Sequence, residues 1–393
     1  MRRTILLLTV ALAMSLACAG IVLAQETKTP SLQQDPAGHT IPNQYIVVLK
    51  EGLSDPSAVG KEHAQRYGAR VLHTYQHALK GYAARIPDRH LDEVRTDSKI
   101  DFVEPDKTVY AEAQVLPWGI DRVQADLSST RAGNGSGAVS NVHAYVIDSG
   151  IYRHADLNVV KHVNFTGDGK NTDCYGHGTH VAGTVAAKDN SRGVVGVAPG
   201  AQLTGVKVLG CSGTGALSGV IKGVDWVSAN AKKPAIANMS LGAGPHPSKA
   251  LDDAVRNSAR SGVFYSVVAG NKGEDACLHS PARAGAGTNN GIATVAATDG
   301  SNQEASFSNY GRCVDIWAPG VRIVSTKLGG GTTTMGGTSM AAPHVGGGGA
   351  LYLSLHTGAS SSSVESALTS NAQRPGTQSK DSRAILLENV KRF

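Results

Sequence analysis

Five short apolar runs, at 142–147, 203–209, 236–239, 263–269 and 292–297, alternate with stretches of helical periodicity, and this alternation constrains the fold more than any other feature of the chain. Residues 217–230 place Val220, Ile221, Val224 and Val227 on one helical face, and 248–259 do the same with Leu251 and Val255. Apolar strands separated by helices predict an α/β fold with a parallel sheet flanked by helices, because parallel crossovers need a helix and bury both faces of the sheet. Such sheets bind ligands outside the carboxyl ends of their strands. The residues just beyond each run, Asp148, Ser240 and Asn271 among them, are therefore candidates.

The 86 residues from 25 to 110 are built differently: 23 are charged, against 43 of the 283 that follow, and they hold five of the chain's 47 glycines. A strand at 45–49, a helix around 59–67 stopped by Gly68, and strands near 71–75 and 81–86 are followed by a helix with Leu91 and Val94 inward and a strand at 100–103 ended by Pro105. The order β-α-β-β-α-β is that of a small ferredoxin-like α+β unit, folded over about 43–108. Ahead of it, Arg2 and Arg3 precede an apolar stretch from Ile5 to Ala24, read as an export signal over residues 1–24 that sends the protein out of the cell. Cys174, Cys211, Cys277 and Cys313 remain after its removal. An even set in an oxidising compartment predicts two disulfides, with three pairings open. The net charge of +6 comes from scattered Lys and Arg, so neither a nucleic-acid partner nor stable membrane association is expected.

Asp148 follows Tyr145-Val146-Ile147, His177 lies in Gly176-His177-Gly178-Thr179-His180, and Ser339 lies in Gly337-Thr338-Ser339-Met340-Ala341-Ala342-Pro343-His344 at the start of a predicted helix. Taken singly, a turn-capping Asp, a polar His and an N-cap Ser would account for them. Together they supply a nucleophile, a base and a carboxylate to orient the base, the set that activates a hydroxyl inert at neutral pH. The spacing Cys174-x-x-His177-x-x-His180 offers a rival, a zinc hydrolase.

Further segments, Pro117-Trp118-Gly119-Ile120-Asp121, Ser240-Leu241-Gly242, Ala269-Gly270-Asn271 and Ser306-Phe307-Ser308-Asn309-Tyr310-Gly311, extend the pattern. Over nearly all of 111–393 the chain resembles the subtilisin-like serine peptidases, nearest their proteinase K and aqualysin branch, and the unit at 25–110 looks like that family's inhibitory propeptide. The order Asp, His, Ser is the one known from subtilisin. The resemblance implies a secreted, monomeric serine endopeptidase made as a self-cleaving precursor. Ser339 would attack the peptide carbonyl, His177 would shuttle the proton, Asp148 would hold the imidazole, and Asn271 with the Ser339 N–H would form the oxyanion hole. An extended peptide would insert as a strand between Gly213-Thr214-Gly215 and Ser240-Leu241-Gly242. Ala269 and Gly270 would wall a pocket for a large apolar or aromatic P1 side chain, and Leu217 stands where some relatives carry an aromatic near S4.

The resemblance also pairs Cys174 with Cys211 and Cys277 with Cys313, and puts propeptide cleavage between Tyr110 and Ala111. The cleaved propeptide would stay bound as an inhibitor. No cofactor is needed for the chemistry, while Asp315 with the carbonyls near Asn290 and Ile292 resembles a structural calcium site. A catalytically inactive peptide-binding homologue is the non-enzymatic alternative. One departure stands out: Gly346 to Gly349 follow Pro343-His344-Val345, where relatives carry mainly alanine and larger apolar residues. Relative to alanine, the three extra glycines predict roughly 2 to 3 kcal/mol of local destabilisation and a soft helix.

Overall fold

The computed structural model describes residues 40–52, 55–107, 113–243, 247–287 and 289–393; the export signal at 1–24 and the Tyr110–Ala111 junction lie outside them. The chain divides into two compact units, one ending at Ala111 and one beginning at Glu112.

The first unit runs β1 (Thr40–Leu49), α1 (Pro56–Tyr67), β2 (Arg70–Tyr75), β3 (Gly81–Arg85), α2 (Leu91–Thr96) and β4 (Ile100–Lys107). The antiparallel sheet has the order β2-β3-β1-β4. Asp55 caps α1, Pro56 occupies its first turn and Gly68 closes it in the left-handed region. Val59, Tyr67 and Val94 join Val47, Tyr82 and Ile100 in a small core. Contrary to expectation, β4 continues through Pro105, which pairs with Tyr45. β4 is an edge strand with one side unpaired, where proline's missing N–H breaks no ladder.

The second unit begins with α3 (Trp118–Arg122), β5 (His143–Asp148), β6 (Val159–Asn164), α4 (His177–Ala186), β7 (Gln202–Lys207), α5 (Leu217–Asn230), β8 (Ala235–Met239) and α6 (Lys249–Arg260). It continues with β9 (Val263–Val268), β10 (Ile292–Thr298), β11 (Ile316–Pro319), the hairpin of β12 (Ile323–Thr326) and β13 (Thr332–Met335), α7 (Thr338–Leu355) and α8 (Ser361–Asn371). Each of the five apolar runs is a strand. The sheet is parallel with order β11-β10-β9-β8-β5-β7-β6, so β6 and β11, which periodicity did not reveal, form its two edges. Strand order reverses beside β5, the first strand in sequence, and that reversal opens a crevice at the carboxyl ends.

Alternation along β5 separates the two faces. Ala144 and Val146 pack with Val181 and Val185 of α4 and Val345 and Leu351 of α7, while Tyr145 and Ile147 pack with Val220 and Val224 of α5 and Leu251 of α6. The last segment returns to the start of the unit. Val390 N donates to Val123 O, Ser129 N donates to Phe393 O, and Leu387 pairs with Trp317.

The glycine run lies in the middle of α7, buried throughout. A methyl group on Gly347 would sit 2.6 Å from Val197 Cβ, one on Gly349 2.6 Å from the Phe264 ring, and one on Gly348 against the Glu388 carboxyl. Alanine is thus the wrong reference for this helix, because alanine does not fit. Gly349→Ala is expected to destabilise the unit by about 1 to 3 kcal/mol through overpacking, where helix propensity alone predicts a gain. A denaturant midpoint that rises in this variant would contradict the close packing.

Candidate functional site

Three element ends meet the crevice: β5 ends on Asp148, α4 opens on His177, and Ser339 is the second residue of α7. Asp148 is fully buried, and its carboxylate lies 2.8 and 3.0 Å from His177 Nδ1. Burial opposes a charge on His177, but the Asp148 carboxylate, through charge and hydrogen bond, and Asp173 behind it outweigh burial and hold the imidazole above its ordinary pKa. Nδ1 on the carboxylate leaves Nε2 as the ring nitrogen able to serve a reacting group.

The turn after Asp148 is itself held. Ser149 N donates to Asp148 Oδ1 at 2.7 Å, and the Ser149 hydroxyl donates to Asp173 while accepting from Gly178 N. Buried Asp173 also accepts from the amides of Tyr175, Gly176 and Thr179, so one carboxylate ties the Asp148 turn to the start of α4. Asp173 escaped the sequence reading. Its signal is an acid just ahead of a helix whose first amides lack acceptors.

The Ser339 hydroxyl donates to Ser240 O at 3.3 Å and makes no bond to His177 in this arrangement. Pro343 is the sixth residue of α7, inside the helix. Its absent N–H frees the carbonyl of Ser339, four residues earlier, and the Ser240 hydroxyl takes that carbonyl at 2.8 Å. The end of β8 and the start of α7 are pinned together as a result.

Asn271 Oδ1 accepts from Thr338 N at 2.8 Å and from the Thr338 hydroxyl at 2.9 Å, so the side chain is oriented with Nδ2 turned away from Thr338. A methyl on Gly337, whose φ is +147°, would lie 3.3 Å from that Nδ2. Asn309, present in a quoted motif without a role, secures this loop: its Nδ2 donates to Ala269 O at 3.0 Å and its Oδ1 accepts from the amides of Lys272 and Glu274.

Two adjoining cavities share Ser240, Leu241 and Gly242. One of about 480 Å³ is also lined by His177, Gly213, Thr214, Gly215 and Leu217, and one of about 300 Å³ by Ala269, Gly270, Asn271 and Ser339. Lys272 and His279 line the smaller one as well, unforeseen, each within 4.0 Å of Glu274. Disulfides join Cys174 to Cys211 and Cys277 to Cys313. The first of them ties the segment before α4 to the glycine-rich edge after β7.

The zinc-like spacing does not converge. Cys174 is bridged, His177 faces Asp148, and His180 Nε2 lies on the carbonyls of Ile323 and Thr333. Among the described residues, the one cluster of His, Cys, Asp or Glu tight enough for an ion is Asp168 with Cys174 and Cys211, and its sulfurs form a disulfide. No helix among the described residues is long and apolar enough to cross a membrane.

Comparison with known proteins places the chain in a family. Residues 140–385 match the profile described as the subtilase family, and residues 44–112 match that described as peptidase inhibitor I9. An extracellular serine proteinase of Thermus sp. (strain Rt41A) is 40% identical over 392 residues, spanning 90% of this chain and 90% of the relative. Alkaline serine exoprotease A of Vibrio alginolyticus is 38% identical over 381 residues, spanning 89% of this chain and 67% of the relative. Among solved structures, a cold-adapted subtilisin-like serine proteinase matches with a TM-score of 0.61 at 42% identity, over 70% of this chain and 97% of that one.

Proposed function

We propose, from the premise that this chain belongs to the subtilase family and is a subtilisin-like serine endopeptidase with an inhibitor-type propeptide domain, that it cleaves peptides through an acyl-enzyme on Ser339. The observation that carries this reading is the buried Asp148 carboxylate bonded to His177 Nδ1 beside a cleft that Ser339 and Asn271 also line. Ser339 Oγ attacks the substrate carbonyl carbon and its proton passes to His177 Nε2, while Asp148 stays ionised and steadies the imidazolium. Charge developing on the carbonyl oxygen is met by Asn271 Nδ2 and the Ser339 N–H at the start of α7. Collapse expels the amine with the proton from His177, and water repeats the sequence to free the acid.

The peptide lies as an added strand between residues 213–215 and 240–242, and the pocket walled by Ala269 and Gly270 takes a large apolar or aromatic P1 side chain. A fluorophosphonate is expected to label Ser339, and a P1-varied library to be cut fastest after aromatic and large apolar residues. Label on another residue would overturn the assignment.

The same pocket rationalises the precursor: signal over 1–24, propeptide over 25–110 and peptidase over 111–393, with self-cleavage after the aromatic Tyr110 to expose Ala111. The propeptide acts as folding template and then as bound inhibitor of a secreted monomer. N-terminal sequencing of the secreted form that starts more than a few residues from Ala111 would refute this boundary.

For calcium, the donors are hard oxygens: the Asp315 carboxylate, which accepts the Thr294 N–H at 2.8 Å, and the Ile292 carbonyl both lie beside Gly285. Asp315 and the carbonyls of Asn290 and Ile292 would hold the ion, which would stabilise the fold without entering the chemistry. Calcium is expected to raise Tm in the native enzyme and not in Asp315→Asn; an equal rise in both would reject the site.

A further inference from the structure

We propose that neutral His162 is a positioning residue for Asp148, holding the turn that carries this carboxylate and releasing it on protonation. The inference rests on the reading that Asp148 and His177 act together. His162 belongs to the edge strand β6 and is in register with Gly205 of β7, which in turn pairs with Val146 of β5. Because Gly205 has no side chain, the imidazole passes across β7; a methyl there would lie 2.7 Å from Nε2. The ring ends against Gly150, where a methyl would again lie 2.7 Å from Nε2, and accepts the N–H of Ile151 at 3.0 Å.

A backbone N–H can only donate, so Nε2 is bare and the ring proton sits on Nδ1, 2.8 Å from Asn171 Oδ1. The neighbouring amides of the turn have their own acceptors, Ser149 N on Asp148 Oδ1 and Tyr152 N on the Thr179 hydroxyl. Ile151 is buried, so its amide depends on the imidazole. A proton on Nε2 would face that N–H donor to donor, and the bond would be lost.

The groups facing the ring act in both directions. Burial is the strongest influence; Lys207 of β7 and Arg153 oppose a charge, while Asn171 and Asp173 favour it, and together they hold the imidazole below its ordinary value of 6.5. Asp168, paired with Lys207, offsets part of that lysine. His177 is shifted the other way. The His177–Asp148 pair contributes stability that is full below the unfolded pKa and is lost as pH rises through the folded one. Neutral His162 contributes stability above its unfolded pKa and loses it as pH falls. Falling pH therefore protonates His177 first and His162 later.

The test is kcat/KM of the mature enzyme from alkaline to acid pH, from initial rates after dilution from neutral stock and normalised to sites labelled by fluorophosphonate. In the native enzyme the slope of log kcat/KM against pH should steepen beyond one at the acid end. His162→Gln, which keeps an acceptor but gains no proton, should lose less activity than His162→Phe and hold a slope of one. His162→Phe should lose about tenfold in kcat at alkaline pH with KM little changed, the effect of one orphaned amide. A slope of one throughout in the native enzyme, the same steepening in His162→Gln, or undiminished kcat in His162→Phe would each overturn the proposal. Serine labelling of the native enzyme is indifferent to these outcomes, so a failure here leaves the catalytic reading standing.

Discussion

Replacing Ser339 by alanine is expected to lower kcat by roughly 10⁶-fold, a figure that comes from subtilisin itself, and to leave the fold intact. The hydroxyl makes one long bond, to Ser240 O at 3.3 Å, so little structure depends on it. The backbone of Ser339 keeps its bond from the Ser240 hydroxyl, and Asn271 stays fixed by Thr338. What remains is a cleft with an oxyanion site and no nucleophile, which still lowers the barrier somewhat relative to water. The variant should accumulate as uncut precursor and mature when active enzyme is added in trans. Activity within tenfold of native, measured on a chromogenic peptide, would remove Ser339 from the chemistry.

Asn271→Ala should cost about 10² to 10³ in kcat with KM nearly unchanged, again a magnitude known from subtilisin. The split follows from the geometry. Thr338 fixes the carbonyl half of the amide at 2.8 and 2.9 Å, so Nδ2 is held in place and, in the proposed role, would meet an oxygen that bears charge only on the way to the tetrahedral intermediate. Asn271→Asp keeps the acceptor for Thr338 but exchanges the donor for negative charge, and should lose at least as much. Thr338→Val removes one of two orienting bonds and should cost about tenfold or less. Were Asn271 only a turn former, its loss would appear in thermal stability and in KM instead.

The parts of the fold that were legible are those with redundant signals. The strands that became β5 and β7 to β10 are buried on both faces, so their runs are mostly apolar, interrupted by single buried polar residues such as Thr204, Asn238 and Ser266, and α5 and α6 each show one apolar stripe. β6, Val159–Asn164, is half polar because it is an edge strand, and β11 is four residues ending in proline. Neither carries a period long enough to stand out. The same contrast holds in the site. Asp148, His177, Asn271 and Ser339 announce themselves through glycine-rich neighbours that the tight element ends require. Asn309 and His162 work through backbone groups distant in sequence, and a bond to a backbone amide leaves no trace in the identity of its partner, whereas Asp173 serves amides close behind it and was open to a local reading.

The return of the last segment to the first has a kinetic side. Val123 and Val390 are joined by a hydrogen bond across most of the length of the second unit, Ser129 by another to Phe393, and the sheet between them contains parallel pairings alone. Each such closure must be found before it is rewarded, so a chain wired in this way has high contact order and searches slowly. Until residues 385–393 arrive, the hydrophobic seats of Ile385, Leu387 and Val390 stand open to water, a state prone to aggregation. The small unit ahead of it joins β2 to β3 across one short turn, and its widest pairing, Thr40 with Lys107, closes a far shorter loop than the bond from Val390 to Val123. The order of the two units along the chain thus puts the unit with the shorter widest closure ahead of the one with the longer.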